Sequence, residues 1–177
     1  ALSRTKLSRP IRDALRDGVI RPGVTVLDYG CGRGDDVRIL RELGYTAVGW
    51  DPVFAPFPAP VRASVVNFGY VLNVIADKES RADALRRAFD LADEVLIVSA
   101  YVHNGEATLL KKAVRLGDGF VTQRGTFQKH FYHKELGEYI SEVLQIKPAR
   151  ADFGVYYVPK KILEPEWPAP PKSEFGD

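Results

Sequence analysis

The chain has 177 residues, of which 45% are apolar and 27% charged, so it can bury a core as one globular domain. No stretch approaches the roughly 18 apolar residues of a membrane span and no signal peptide is recognisable, so we expect a cytoplasmic protein without membrane contact. Its single cysteine excludes an internal disulfide framework, and a net charge of +2 permits a nucleic-acid partner without indicating one.

The first predicted element is a short helix over residues 7–18, with Ser8 at the cap position and Gly18 at its end. A basic arm precedes it, so residues 1–23 form a predicted N-terminal arm and helix. The main domain is predicted over 24–160, and residues 161–177 read as a proline-rich tail or linker. The absence of methionine, even at position 1, predicts a trimmed chain or one domain of a longer protein.

Within the main domain, apolar runs alternate with helical patterns. The predicted strands cover residues 24–30, 45–51, 63–68 and 94–100, with a closing pair at 145–152 and 154–160. The predicted helices cover residues 35–44, 77–92 and 133–144, and 101–132 are predicted to be irregular or partly helical. This alternation predicts an α/β fold in which helices cover both faces of a mostly parallel sheet.

Three glycines follow the first predicted strand, at Gly30, Gly32 and Gly34. They allow a tight turn and the close approach of a ligand to the backbone. Asp51 stands at the end of the second predicted strand, where a carboxylate can accept hydrogen bonds from both hydroxyls of a ribose. Together the glycine loop and the acidic strand end predict an adenosine-type ligand; the alternative is a tight turn that binds nothing.

The charge around the loop indicates which adenosine ligand to expect. A dinucleotide site favours the spacing Gly-x-Gly-x-x-Gly, whereas this loop reads Gly-x-Gly-x-Gly and sets Asp28, Asp35 and Asp36 against Arg33. Acid at a helix start competes with a phosphate for the same amide donors. S-adenosylmethionine carries a sulfonium and an ammonium group, so it is the expected cofactor, and a nicotinamide-dependent oxidoreductase is disfavoured.

The blocks "DYGCGRGDD" and "GWDP" resemble the glycine loop and acidic strand end of class I S-adenosylmethionine-dependent methyltransferases. More narrowly, "LSRTKLSRP", "DYGCGRGDDVR", "GYTAVGWDP", "VVNFGYVLNVI" and "RGTFQKHFYHKEL" resemble the DNA phosphorothioation-associated methyltransferases. The resemblance implies a Rossmann-like sheet, methyl transfer and a possible DNA partner. The expected cofactor-binding residues are Asp28, Tyr29, Gly30, Gly32, Arg33, Asp51, Pro52, Asn67 and Phe68.

One departure from the class I pattern concerns the sheet. Only the proline-rich loop 52–60 separates the second and third predicted strands, where a full class I sheet has a helix, a strand and another helix. We therefore predict a sheet reduced at this point and an adenine site that is partly open. Pro52, Val53 and Phe54 are the apolar residues expected to cover the base.

The third predicted strand ends in Asn67-Phe68-Gly69-Tyr70, beside the expected position of the methyl group. Enzymes that methylate amino groups of nucleic acids often carry Asp or Asn, two prolines and an aromatic residue there, so Asn67 and Tyr70 are the candidate catalytic residues. An amide oxygen can accept from a target amine while a ring stacks on a flipped base. Phe68 and Gly69 replace both prolines, and the alternative is a strand end that only lines the cofactor site.

The run 121–134 combines basic and aromatic residues without any acid. Such a mixture can contact phosphates and stack on bases, so Arg124, Thr126 and Lys129 are candidate substrate-binding residues. The alternative is a solvated basic loop whose aromatics enter the core. The basic arm before the first helix can close over the cofactor carboxylate, contact a nucleic-acid backbone, or be merely solvated. No histidines and cysteines stand at metal-ligand spacing, so no metal is expected.

The sequence thus favours an S-adenosylmethionine-dependent methyltransferase whose acceptor is a nucleic acid or a nucleotide-like molecule. Two alternatives stay open. The acceptor can instead be a small molecule or a peptide, with the run 121–134 acting as a lid. The domain can also hold the cofactor without transferring the methyl group, because the sheet is reduced.

Overall fold

The computed structural model describes residues 4–103, 113–132 and 134–160. The predicted proline-rich tail 161–177 and the first three residues of the arm lie outside the described residues. So do segment 104–112 and position 133 of the region predicted as irregular.

The chain begins with helices and parallel strands in alternation. These elements are α1 (Arg9–Arg16), β1 (Thr25–Tyr29), α2 (Asp35–Glu42), β2 (Thr46–Trp50), β3 (Ala63–Gly69), α3 (Lys78–Leu91) and β4 (Ala92–Ser99). Short strands follow, at β5 (Val102–His103), β6 (Val114–Leu116), β7 (Gly119–Val121), β8 (Phe127–Gln128) and β9 (Phe131–Tyr132). The last elements are α4 (Glu135–Leu144), β10 (Ala149–Asp152) and β11 (Val155–Pro159).

Six strands form the central sheet in the order β10-β11-β4-β3-β1-β2. The neighbours β2, β1, β3 and β4 are parallel, whereas β11 runs antiparallel to β4 and β10 antiparallel to β11. The carboxyl ends of the four parallel strands therefore meet at one edge of the sheet, where ligands bind in open α/β sheets. This arrangement confirms the predicted α/β class and the predicted closing strand pair, which is antiparallel.

Helices cover both faces because residues along each strand alternate between two hydrophobic cores. Val26 and Val65 belong to a core formed with α1 and α2, whereas Leu27 and Val66 belong to a core formed with α3 and α4. Asp77 is the N-cap of α3, because its carboxylate accepts a hydrogen bond of 2.8 Å from the Ser80 amide. The two cores hold the sheet rigid beneath its carboxyl edge.

The predicted reduction of the sheet is also confirmed. Between Trp50 and Ala63 the chain forms neither a helix nor a strand, only an isolated bridge that pairs Asp51 with Ala55. β2 is therefore an edge strand. Arg41 from α2 covers part of this edge by donating a hydrogen bond of 2.7 Å from Nε to the carbonyl of Ala47.

The described part of residues 101–132, which were predicted to be irregular or partly helical, contains short strands and no helix. These strands form a two-stranded parallel sheet, β5-β9, and a three-stranded antiparallel sheet, β6-β7-β8. Gly117 and Gly125 adopt positive φ angles of 57° and 76° in the two tight turns, and glycine at such positions is a signal for hairpins rather than helices. We call residues 101–103 and 113–132 the cap, because they leave the sheet at the carboxyl end of β4.

Candidate functional site

The glycine loop, residues 30–34, joins β1 to α2 and is tied to the end of β2. The amides of Gly30 and Cys31 both donate to the carbonyl of Trp50, at 2.7 and 3.0 Å. Gly30 has a φ of 88°, and a Cβ at this position would lie 2.5 Å from a methyl group of Val71. Only glycine fits there, because both the dihedral angle and the space exclude a side chain.

Asp51 connects the second strand end directly to this loop. One carboxylate oxygen accepts a hydrogen bond of 2.9 Å from the Gly32 amide. The other accepts from the amides of Val53 and Phe54, at 2.8 and 3.0 Å. A carboxylate offers about four lone-pair positions, so Asp51 retains acceptor capacity on the oxygen that faces the glycine loop.

Asp28 and Asn67 form a buried polar pair at the carboxyl ends of β1 and β3. Asn67 Nδ2 donates to Asp28 Oδ1 at 2.9 Å, and both side chains are almost completely buried. Burial raises the pKa of Asp28 to about 7, opposed by the hydrogen bond from Asn67 and reinforced by the nearby Asp36. The Asp28 carboxyl group is therefore poised to change charge near neutral pH.

Two oxygen atoms, one in this pair and one next to it, have no hydrogen-bond partner among the described residues. Asn67 Oδ1 and Ser99 Oγ are buried and make no hydrogen bond. A Cβ on Gly69 would lie 3.2 Å from Asn67 Nδ2 and 3.3 Å from Ser99 Oγ, so both side chains border the same small space. Buried polar atoms normally have a partner, and this cluster fits a ligand that donates hydrogen bonds, such as an ammonium group.

The acid at the start of α2 is held by the N-terminal arm. The Arg4 amide donates to Asp35 at 2.8 Å, and the Ser8 amide donates to Asp36 at 2.7 Å. The Arg4 guanidinium lies 3.2 Å from Asp36 Oδ2. Sequence reasoning left open whether the arm is merely solvated; its described part instead packs on α2 and neutralises acid that we expected to face the cofactor.

The other predicted cofactor-binding residues divide into two groups. Tyr29 and Phe68 have buried side chains in the core beneath the loop, with ring centroids 5.8 Å apart, so only their backbone atoms face the sheet edge. Arg33 and Pro52 are exposed at the rim. The Arg33 guanidinium lies 5.8 Å from the centroid of the Phe54 ring, so these two side chains border the open side of the loop.

A groove of about 860 Å³ runs along this open side, between α2, β2 and the loop that follows β2. Gly32, Val37, Gly49 and Phe54 are among its lining residues, but Asp28 and Asn67 are not. The groove follows the edge where the expected extra strand is missing. One end of the groove reaches the glycine loop. The groove therefore lies where the sequence predicts a partly open adenine site.

The candidate substrate residues of the basic run do not form one cationic surface. Arg124 and Thr126 are exposed in and beside the turn between β7 and β8, and Thr126 Oγ1 lies 2.7 Å from Thr122 Oγ1. Lys129 is buried, and its Nζ lies 2.8 Å from Glu135 and 3.8 Å from Asp118. Although residues 121–134 lack acid, the fold brings carboxylates from outside the run, and Lys129 is neutralised.

Sequence reasoning missed an aromatic cluster that lies beside the buried side chain of Asn73. Asn73 is fully buried and joins the loop after β3 to the cap: its Oδ1 accepts from the Tyr101 amide at 2.9 Å, and its Nδ2 donates to the Lys129 carbonyl at 2.5 Å. Asn73 therefore connects the two segments through its side chain. Tyr101 contacts the rings of both Tyr70 and His130 at tilted angles, with centroids 4.8 and 5.8 Å away. The signal that could have found them is position, because Tyr101 follows β4 directly at the same sheet edge.

Comparison with known proteins identifies the fold. The sequence matches no protein-family model and no curated protein. Among solved structures, a 1,6-didemethyltoxoflavin-N1-methyltransferase from Burkholderia thailandensis, with bound 1,6-didemethyltoxoflavin and S-adenosylhomocysteine, matches with a TM-score of 0.63 and 18% identity; the match covers 86% of this chain and 77% of that one. The chain has the Rossmann-like fold of class I methyltransferases.

Two further structures support this assignment of the fold. A sugar N-methyltransferase from a Streptoalloteichus species matches with a TM-score of 0.58 and 15% identity, over 86% of this chain and 85% of that one. A magnesium protoporphyrin IX methyltransferase from Synechocystis, with bound S-adenosylhomocysteine, matches with a TM-score of 0.53 and 15% identity, over 90% of both chains. No helix among the described residues is both long enough and apolar enough to cross a membrane.

The described residues also contain no group of three or more histidine, cysteine or acidic side chains arranged to hold a metal ion. Cys31 lies in the glycine loop, where burial raises the pKa of its thiol to about 11, with nearby Asp28 as the next contribution. A thiol with so high a pKa stays protonated at neutral pH and is a poor nucleophile.

Proposed function

We propose that this protein is an S-adenosylmethionine-dependent methyltransferase. The observation that carries the proposal is the join between the two strand ends, where the Asp51 carboxylate accepts a hydrogen bond of 2.9 Å from Gly32 in the glycine loop. This join presents a carboxylate and a side-chain-free backbone at the carboxyl edge of a class I methyltransferase sheet. Two of the similar structures contain S-adenosylhomocysteine, the demethylated product of this cofactor.

The described residues fit the cofactor in three places. Asp51 has acceptor capacity left for a ribose hydroxyl, and Phe54 borders the space for an adenine ring. Asp28, Asn67 and Ser99 offer a carboxyl group and two unpartnered oxygen atoms to an ammonium group. Bound there, S-adenosylmethionine supplies a methyl carbon activated by a positively charged sulfur. The protein's own contribution is to position the reactants and exclude water.

Binding and turnover separate this proposal from its alternatives. Titration calorimetry should show S-adenosylhomocysteine binding at micromolar concentrations and negligible heat with NAD; tighter binding of NAD would refute the proposal in favour of an oxidoreductase. Mass spectrometry of purified protein incubated with S-adenosylmethionine and candidate acceptors then distinguishes a transferase from a domain that only holds the cofactor. A methylated product is expected.

The nucleic-acid acceptor, and with it the DNA phosphorothioation association, rests on the resemblance and on the run 121–134. Arg124 and Lys134 are exposed, but Lys129 is already paired with Glu135. If both exposed side chains contact phosphates of a duplex, a plot of log affinity against log salt should have a slope no steeper than about −2, from roughly −0.9 per phosphate contact. Filter binding across a salt series tests this; no DNA or RNA binding at about 50 mM salt removes the nucleic-acid acceptor.

A further inference from the structure

Six aromatic side chains form a continuous surface between the candidate cofactor site and the outer end of the cap. We call it the ring face, and its members are Tyr70, Tyr101, Phe120, His130, His103 and Tyr132. The centroids of Tyr70 and Tyr101 are 4.8 Å apart, those of Tyr101 and His130 are 5.8 Å apart, and those of His130 and Phe120 are 5.2 Å apart. Tyr101 and Tyr132 are more than half exposed.

The inner end of the ring face adjoins the atoms proposed to hold the cofactor. Tyr70 follows Gly69, where a Cβ would lie within 3.3 Å of atoms of both Asn67 and Ser99. It adopts a φ of 61°, which is uncommon for a residue with a large side chain, and its amide donates to the Ser99 carbonyl at 2.9 Å. Such strain persists where surrounding contacts impose it and often marks a functional position.

Hydrogen bonds from the backbone and from Asn73 fix the middle of the ring face in place. The Asn73 side chain already binds the cap, and two backbone hydrogen bonds add to this. The Lys129 amide donates to the Asn73 carbonyl at 2.7 Å, and the Phe131 amide donates to the Tyr101 carbonyl at 3.0 Å. These bonds hold His130, which lies between Lys129 and Phe131, while its imidazole is only partly buried. The rings therefore form a rigid, preorganised surface rather than a set of mobile side chains.

The His130 imidazole is neutral and weakly basic, so only an acidic donor can transfer a proton to it. The neighbouring Lys129 is paired with Glu135 and Asp118. Burial lowers the pKa of His130, and the nearby His103 lowers it further, so the imidazole is neutral at pH 7. Among the described residues, no hydrogen bond engages either nitrogen of the His130 ring.

We propose that the ring face is the acceptor site of the methyltransferase, that it binds a planar conjugated ring bearing an acidic N–H or O–H group, and that His130 accepts the proton from this group. The site rests on the proposed function. The rings of this surface meet at tilted or edge-on angles between 34° and 79°, and exposed aromatic faces and edges favour planar π-systems over a saturated sugar or an aliphatic chain.

Conjugation explains how one acceptor can use both His130, in the middle of the ring face, and the space near Tyr70 at its inner end. The acceptor loses its proton to His130 at one edge, and the electron pair left behind is delocalised to a second atom near Tyr70. That atom forms a new bond to the methyl carbon, the bond between this carbon and sulfur breaks with its electrons retained on sulfur, and the proton leaves His130 for solvent. Charge and atoms balance, because a neutral acceptor and a sulfonium give a neutral methylated product, a thioether and one proton.

The test uses 7-hydroxycoumarin as the planar probe and glucosamine as the non-planar one, each titrated into the full chain saturated with S-adenosylhomocysteine. We expect saturable binding of 7-hydroxycoumarin and none of glucosamine. Tyr101→Ala should weaken binding of the planar probe by about tenfold or more, whereas Phe57→Ala, which removes an exposed ring outside the cap, should not. Glucosamine bound more tightly than the planar probe would overturn the proposal.

The proton acceptor has its own readout, which does not require turnover. At a pH where free 7-hydroxycoumarin is mostly neutral, the bound probe should show the absorption band of its anion. His130→Gln should still bind the probe measurably but lose this band, and an unchanged band would show that His130 does not accept the proton.

Two controls separate the sources of failure. S-adenosylhomocysteine binding without binding of the planar probe refutes the ring face as the acceptor site and leaves the methyltransferase proposal intact; absence of S-adenosylhomocysteine binding refutes the proposed function itself. A thymidine oligonucleotide titrated in the same way identifies the source of the ring. If it competes with the probe through Tyr101 and binds more tightly, the acceptor is a nucleobase; if it does not compete, the acceptor is a free heteroaromatic molecule.

Discussion

At the scale of single residues, Asp28 is a carboxyl group that the fold has deprived of water. It is buried at the centre of the sheet edge, and burial raises its pKa to about 7. The Asn67 amide partly offsets this cost by donating a hydrogen bond to Asp28. A ligand cation nearby favours the ionised form, so cofactor binding and ionisation of Asp28 should be linked.

This linkage predicts the pH dependence of cofactor binding. If the bound ammonium group lowers the pKa of Asp28, binding releases a proton below pH 7, and affinity rises as the pH approaches the pKa of the free protein. Between about pH 5.5 and pH 7, the affinity for S-adenosylhomocysteine should increase by roughly tenfold, below the range where the ligand's own amine titrates. Calorimetry measures this, and Asp28→Asn is the control because it cannot ionise.

Either of two results would contradict the role given to Asp28. An affinity for S-adenosylhomocysteine that stays constant over this pH range would mean that the carboxyl group does not sense the ligand. The same pH dependence in Asp28→Asn would assign the effect to another group.

Asp51 is the second residue with a specific expectation. Asp51→Ala should weaken binding of S-adenosylhomocysteine by at least about tenfold, because hydrogen bonds to a charged partner contribute roughly 1.5–3 kcal/mol each. The amides of Gly32, Val53 and Phe54 that the carboxylate accepts from now lie near the surface, where water can replace it, so the fold should survive. Calorimetry combined with urea unfolding checks both parts; a folded Asp51→Ala protein of unchanged affinity means that Asp51 does not bind the ribose.

At the scale of elements, the cap is attached to α3 by a buried ion pair. Arg81 is almost completely buried, and its guanidinium donates two hydrogen bonds to Asp118, at 2.7 and 3.1 Å. Asp118 lies in the turn between β6 and β7. Its pKa is lowered mainly by the hydrogen bond from Arg81. The pair therefore fixes the hairpin that carries Phe120 of the ring face.

Breaking this pair should destabilise the protein. Asp118→Ala leaves the Arg81 charge buried without its carboxylate, which should cost roughly 3 kcal/mol; this is the lower end for such losses, because Arg81 keeps its hydrogen bond to the Ile75 carbonyl. Urea unfolding measures the change. The control is Asp83→Ala, which breaks an exposed pair with Arg86 and should cost less than about 1 kcal/mol. Equal costs for the two variants would show that Asp118 does not anchor the cap.

At the scale of the whole molecule, the sheet ends earlier than in a full class I methyltransferase. β2 is the edge strand, and large apolar side chains beside it are exposed, among them Val48 at 38%, Val53 at 76% and Phe57 at 88%. Native proteins protect open edges from pairing with other chains. The hydrogen bond from Arg41 to the Ala47 carbonyl protects part of this one.

The open edge predicts a contrast between two valines of the same sheet. Val48→Thr should change the free energy of unfolding by less than about 0.5 kcal/mol, because its side chain already contacts water. Val66→Thr at the fully buried centre should cost roughly 1–3 kcal/mol, because it buries a hydroxyl group away from water. Urea unfolding of both variants decides; a cost at Val48 as large as that at Val66 would mean that another part of the chain or a second molecule covers the edge.

The sequence by itself determined the local features. The glycines at 30, 32 and 34 all adopt positive φ angles, as expected for a turn that no other residue type adopts easily. Asp51 lies at the end of its strand, and the short proline-rich loop after it leaves no room for another strand. These features depend on residues close together in the chain, so their pattern is sufficient to predict them.

Only the tertiary structure decided which distant side chains meet. Asp28 and Asn67 are 39 positions apart, and they pair because the register between β1 and β3 aligns them. Lys129 looked free in an acid-free run, yet the fold brings Asp118 against it. The ring face likewise joins the end of β3 to three parts of the cap. Such contacts depend on strand order and register, which a periodic pattern of apolar residues does not specify.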